Sequence, residues 1–134
     1  MARLVHQIRV IFGDTDQMGV VYYANYLRYF EASRAALLRS LGRSQRDLDE
    51  WDVALPVVES HCHYRRPAVY EDLLDIEVWV GQMRGASMRF DYEVERDGLL
   101  LADGFTRHAC VSRAGRPKRI PEPLRALIAG DGRG

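Results

Sequence analysis

The chain is short of the features that mark whole classes of protein. It has two cysteines in 134 residues, Cys62 and Cys110, and they form no Cys-x-x-Cys pair. They read as free thiols in a reducing compartment and as small core residues, not as a disulfide frame. No apolar run approaches the roughly 20 residues that span a bilayer. Residues 1–10 alternate polar and apolar without a signal-peptide core, so the cytoplasm is the expected compartment. Neither sign of charge is in excess, because 19 basic and 19 acidic residues cancel. Nonspecific nucleic-acid binding needs a basic surplus and is not expected. A chain without net charge also favours association over staying monomeric. There is no Gly-x-Ser-x-Gly elbow, which argues against a serine triad. His61 and His63 share a strand face, but no third ligand is evident nearby, so no metal is expected. His6 and His108 stand alone.

What is present is ordinary globular composition, 47% hydrophobic and 28% charged. The length suits one domain with a modest core, read over residues 1–134 with no linker, repeat or low-complexity segment. Residues 5–12 alternate, with Ile8, Val10 and Phe12 on one face, and predict a strand. Residues 13–24 form a loop. Residues 25–41 make the best helix, closed by Gly42. It is so apolar and alanine-rich that other elements are expected to wrap it. Residues 45–52 are short helix or irregular chain. Strands follow over 56–66, around Leu74 to Val80 and Met88 to Val94, and over 99–112, with Asp97-Gly98 as a hairpin turn. Residues 115–123 are loop, 124–129 a short helix, and 130–134 are expected to fray. One apolar helix against an antiparallel sheet is an α+β arrangement whose open face and edges call for a partner.

The densest chemistry lies between Phe12 and Tyr26. A strand-like run ends in Asp14 and Asp16, Gly19 turns the chain, and an apolar patch leads to Asn25 at the start of the helix. This order sets a carboxylate beside the positive end of a helix, where free backbone N–H groups polarise a carbonyl.

That segment, Asp14-Thr15-Asp16-x-x-Gly19-Val20-Val21-Tyr22-Tyr23-x-Asn25-Tyr26, resembles the signature of hotdog-fold acyl-CoA thioesterases. The group includes the 4-hydroxybenzoyl-CoA thioesterases and the thioesterase encoded with the Tol–Pal system. The runs at Phe30 to Arg34, Tyr64 to Ala68, Tyr70 to Leu74 and Met83 to Ser87 support the likeness, which covers nearly the whole chain. It implies a long central helix wrapped by a five-stranded antiparallel sheet, with protomers paired into dimers and often a homotetramer. It implies hydrolysis of an acyl-CoA thioester without a cofactor. Asp16 would be the catalytic carboxylate, and the Tyr23 backbone N–H the oxyanion donor. Many Tol–Pal-type members carry His where this chain has Tyr23.

Each residue also has a plainer reading. Asp16 could be a turn aspartate that bonds loop amides, and Asp14 reads that way more strongly. The family match tips Asp16 toward catalysis, as nucleophile or general base. Asn25 reads as a cap or brace and borders the substrate-binding set. Tyr22, Tyr23, Tyr26 and Tyr29 would line the acyl pocket or pack the core. Arg65 and Arg84 would contact the phosphates of coenzyme A. An acyl-carrier protein is an alternative acyl donor, and no stable membrane insertion is expected. Two rivals stand beside the hydrolase: a dehydratase, weakened by the lack of His in the segment, and a non-catalytic acyl-binding or assembly protein.

Overall fold

A computed structural model describes residues 1–130. The expectation for residues 130–134 therefore falls, apart from Gly130, outside the described residues. Five strands, β1 (Arg3–Arg9), β2 (Val57–Tyr64), β3 (Leu73–Met83), β4 (Ser87–Arg96) and β5 (Leu99–Ala109), form one antiparallel sheet. Their order across the sheet is β1-β3-β4-β5-β2, so β1 and β2 are the edges. Three helices complete the chain: α1 (Asn25–Ser40), α2 (Gln45–Glu50) and α3 (Glu122–Gly130). This is the hotdog arrangement, with α1 laid on the sheet. No helix among the described residues is long and apolar enough to cross a membrane.

Period-two alternation builds the core. Leu74, Ile76, Val78 and Val80 from β3 and Met88, Phe90, Tyr92 and Val94 from β4 point to one face and are buried. Tyr26, Phe30, Ser33 and Leu37 of α1 descend onto them at helical spacing. The rings of Phe30 and Tyr92 stack 4.1 Å apart. Leu124 and Ile128 of α3 close the core at the end where Ala2 N–H donates to Ile128 O at 3.0 Å.

Local chemistry sets the ends of the elements. After Leu41, Gly42 takes φ +76°, and the N–H groups of Gly42 and Arg43 return to the carbonyls of Arg39 and Leu38 at 2.9 and 3.0 Å. This is a Schellman stop, which glycine makes without strain. Asp97 and Gly98 both have positive φ, the conformation a two-residue hairpin requires.

One expectation changes. The strand read to Phe12 ends at Arg9, and Phe12–Asp14 is a 3-10 turn. The Asp14 carboxylate accepts the Ile11 N–H and bends the chain there, leaving Phe12 74% exposed. The helix α1 is covered by the sheet on one side, while Leu27, Arg28, Glu31 and Arg39 face outward. The open face of the sheet is charged, with Arg3–Glu77, Arg65–Asp103 and Arg107–Glu59 pairs across neighbouring strands.

Candidate active site

The loop between the 3-10 turn and α1 is tied down at both ends. Asp16 N–H donates to Val20 O at 2.9 Å, and Gly19 N–H returns to Asp16 O at 3.0 Å. Gly19 takes φ +81°, which closes this small turn. Val20 pairs with Val69, and Val21 N–H donates to Ala68 O at 2.9 Å, so the loop is stitched to the chain leaving β2.

The two aspartates are held differently. Asp14 is 8% exposed and accepts from the Tyr29 hydroxyl at 2.8 Å as well as from Ile11. Its backbone carbonyl takes the Asn25 side-chain amide at 2.8 Å. Asp14 is thus a brace, and Asn25 is the first residue of α1 whose side chain reaches back to the loop. Tyr29 serves Asp14 and is not among the residues that line the hollow beside Asp16. Asp16 instead faces a hollow. Its Oδ1 accepts Met18 N–H at 2.8 Å, and among the described residues Oδ2 accepts nothing.

The same hollow, about 300 Å³, is lined by Asp16, Val20, Tyr23, Tyr26, Tyr64 and Arg65. It lies at the start of α1, whose N-cap position is Ala24. Alanine has no oxygen to offer, so no side chain caps the helix. Among the described residues the Tyr23 N–H donates to no backbone acceptor. Tyr23, with an unspent amide near the positive end of a helix, and Asp16, with an unspent carboxylate oxygen, therefore line one hollow.

Aromatic side chains shape the walls. Tyr64 donates its hydroxyl to Tyr23 O at 3.0 Å and meets Tyr26 edge-on with rings 5.2 Å apart. Burial, with Cys62 nearby, pushes the Tyr64 phenol up to about 12, so it stays a donor. Burial also lifts the Cys62 thiol to about 11, which keeps it protonated and unsuited to attack. Tyr26 is 3% exposed, whereas the Tyr23 ring is 61% exposed and Tyr22 is also open.

The fold matches known proteins. A family model for the thioesterase-like superfamily matches residues 10–128. The chain belongs to this superfamily. It is 35% identical over 123 residues to the acyl-CoA thioesterase YbgC of Haemophilus influenzae, covering 90% of each chain. It is 33% identical over 127 residues to a 1,4-dihydroxy-2-naphthoyl-CoA hydrolase of Synechococcus elongatus, covering 93% of each. The crystal structure of the hypothetical protein TT1821 from Thermus thermophilus superposes with a TM-score of 0.88 at 36% identity, over 94% of this chain and 97% of that one.

Within the superfamily frame, the remaining sequence candidates divide. Arg65 lines the Asp16 hollow, with its guanidinium on Asp103 at 2.9 Å. Arg84 does not reach the hollow of its own chain. It sits on the β3–β4 turn, and the eleven residues of β3 put about 30 Å between that turn and the Asp16 end. Tyr64, Arg66 and Pro67 line the site without having been singled out for it. Their signal was the Tyr64-Arg65-Arg66-Pro67 run, where an aromatic and two cations close an edge strand. A larger hollow, about 530 Å³, opens near the other end of α1 between Arg34, Leu48, Val57, Phe90 and His108. Size alone would favour it, but its only acid, Glu31, is exposed and meets no open helix terminus.

Proposed function

We propose that this chain is an acyl-CoA thioesterase, which turns R–CO–S–CoA and water into a carboxylate and free coenzyme A. One observation carries the reading: an open Asp16 oxygen and an open Tyr23 N–H border the same hollow at an uncapped helix start. A thioester has a good thiolate leaving group, so a carboxylate suffices if the developing oxyanion is held. Asp16 attacks the carbonyl carbon, or takes a proton from the water that does. The Tyr23 N–H and the positive end of α1 receive the charge that builds on oxygen. Turnover in this scheme uses no metal and no cofactor.

Tyr22, Asn25 and Tyr26 border the acyl group, and Arg65 meets the phosphates of coenzyme A. The reading includes a homo-oligomer of at least two chains, with a homotetramer as the larger form. Its support is β2, an edge strand exposed on both faces beside the hollow. Antiparallel pairing of two β2 edges brings Arg84 of the partner subunit to the Asp16 end, where it meets the same coenzyme. An acyl-carrier protein is an alternative donor of the acyl group. The cytoplasm, where acyl-CoA is made and used, is the proposed compartment, and residues 1–134 act as one domain.

The experiment is thiol release from short, long and aromatic acyl-CoAs, with chelator present. Steady turnover on any of them supports the hydrolase. Tight binding without turnover replaces it with an acyl-binding protein.

A further inference from the structure

The outer face of β2 presents Glu59, His61 and His63, and both imidazoles are exposed. Neither makes a hydrogen bond to protein among the described residues. His61 rests on the Phe105 ring at 5.4 Å, which limits its ring orientation without occupying its nitrogens. Two imidazoles at i and i+2 on one strand face form a chelating pair, but zinc in a closed site takes four ligands. Among the described residues no group of three or more ligating side chains surrounds them in one chain. One chain therefore supplies half a site.

The other half follows from the edge. The backbone of β2 is laddered only to β5, and only Cys62 is partly covered. The strand holds neither Pro nor Lys, and its bulge lies at one end, between Val57 and Glu59, leaving the stretch to Tyr64 regular and open. Antiparallel pairing with the same strand of a second copy satisfies the free N–H and C=O groups of both at once and closes the assembly. Opposed residues then share a face. The regular part of β2, after the bulge between Val57 and Glu59, centres between His61 and Cys62. A two-fold axis at Cys62 sets His61 opposite His63 of the partner subunit, and the reverse. An axis at His61 sets His61 opposite its own copy, with the two His63 side chains on the diagonals. Directly opposed Cβ atoms lie about 4.5–5.5 Å apart, so the axis at Cys62 gathers all four imidazoles on one face, whereas the axis at His61 sets each His63 opposite a Glu59 and leaves the two His63 side chains four residues apart.

We infer that the dimer binds one zinc ion across its two-fold axis, through His61 and His63 of both subunits. This rests on the dimer reading above and is separate from the chemistry at Asp16. Imidazole nitrogen suits zinc, and Asp103, cross-strand neighbour of His63, is already held by Arg65 at 2.9 Å, so the four imidazoles make up the ligand set. The ion links the two chains and takes no part in turnover.

The test uses the full chain after treatment with chelator and dialysis. Light scattering gives its state, and calorimetric titration with zinc chloride gives the stoichiometry. The expected result is a dimer that binds one zinc per two chains and unfolds at a higher temperature once loaded, with kcat unchanged. His61→Ala with His63→Ala should remain a dimer and lose both the binding and the thermal gain. His63→Asn alone should weaken binding. Because both side chains are exposed, these variants leave the core intact. A dimer that binds no zinc, or binding that survives the double variant, overturns the inference while leaving the dimer standing. A monomer overturns both.

Discussion

Tyr29 donates its buried hydroxyl to Asp14 Oδ2 at 2.8 Å, and this bond separates the roles of two aspartates only two positions apart. Asp14 is used up beneath the loop. Asp16 stands on the turn that Asp14 supports, with one oxygen held by Met18 N–H and the other open. Burial, then the bond to Asp14, raises the Tyr29 phenol well above its usual range, so the donor persists at any working pH.

Asp16→Asn keeps the shape and the Met18 contact but removes the charge. On the best acyl-CoA found, kcat should fall about a hundredfold or more, with KM and thermal midpoint nearly unchanged. Near wild-type kcat would return Asp16 to the status of a turn residue.

Asp14→Asn and Tyr29→Phe should act on stability instead. Each leaves a buried group short of a partner, a loss of about 1–3 kcal/mol. The thermal midpoint should drop by several degrees in both, with activity falling through disorder of the loop. A midpoint within error of wild type in both variants would remove the brace.

Arg65→Ala should raise KM more than it lowers kcat, because a phosphate contact is shared by ground and transition states. KM should also rise with salt, on a modest slope, since the chain has no net positive field to steer the ligand. Arg84→Ala should do the same only in the oligomer, and an unchanged KM would strike it from the site.

The buried His108 predicts an acid-sensitive core. Its Nδ1 lies 2.9 Å from Leu55 O and its Nε2 2.8 Å from Thr106 Oγ1. Burial lowers its pKa from the ordinary 6.5, with Arg34 adding to the shift. The unfolded chain therefore takes up a proton first as pH falls. Stability contributed by neutral His108 is full above pH 6.5 and is lost as pH drops toward the folded value. The thermal midpoint should decline from neutral pH to about 5, and His108→Gln should start lower but decline less. Parallel slopes would clear His108 of the effect.

Light scattering at micromolar concentration should give at least a dimer. A stable, active monomer would refute the pairing of β2 edges.

Much of this was legible because local rules decided it. Period-two alternation located β3 and β4, helical spacing and Gly42 located α1, and Asp97-Gly98 located the last hairpin. Asp16 and Tyr23 could be nominated because the signature is contiguous, with the acid and the start of the helix only seven residues apart. Tyr64 was not found, since it reaches the hollow from a strand 41 positions away. The end of β1 was missed because alternation runs through Phe12, while a single carboxylate, Asp14, turns the chain at Ile11.

Sequence alone determined the elements, the α+β class and the short list of acids, because backbone propensity and patterning act over a few residues. Tertiary structure decided which acid is free, which amide is unspent and which arginine lies near. Those depend on hydrogen bonds such as Tyr29 to Asp14 and on strand order, which places β2 at an open edge and sends Arg84 to the far end. Both are relations between distant residues, set by the packing of one face of the sheet against α1.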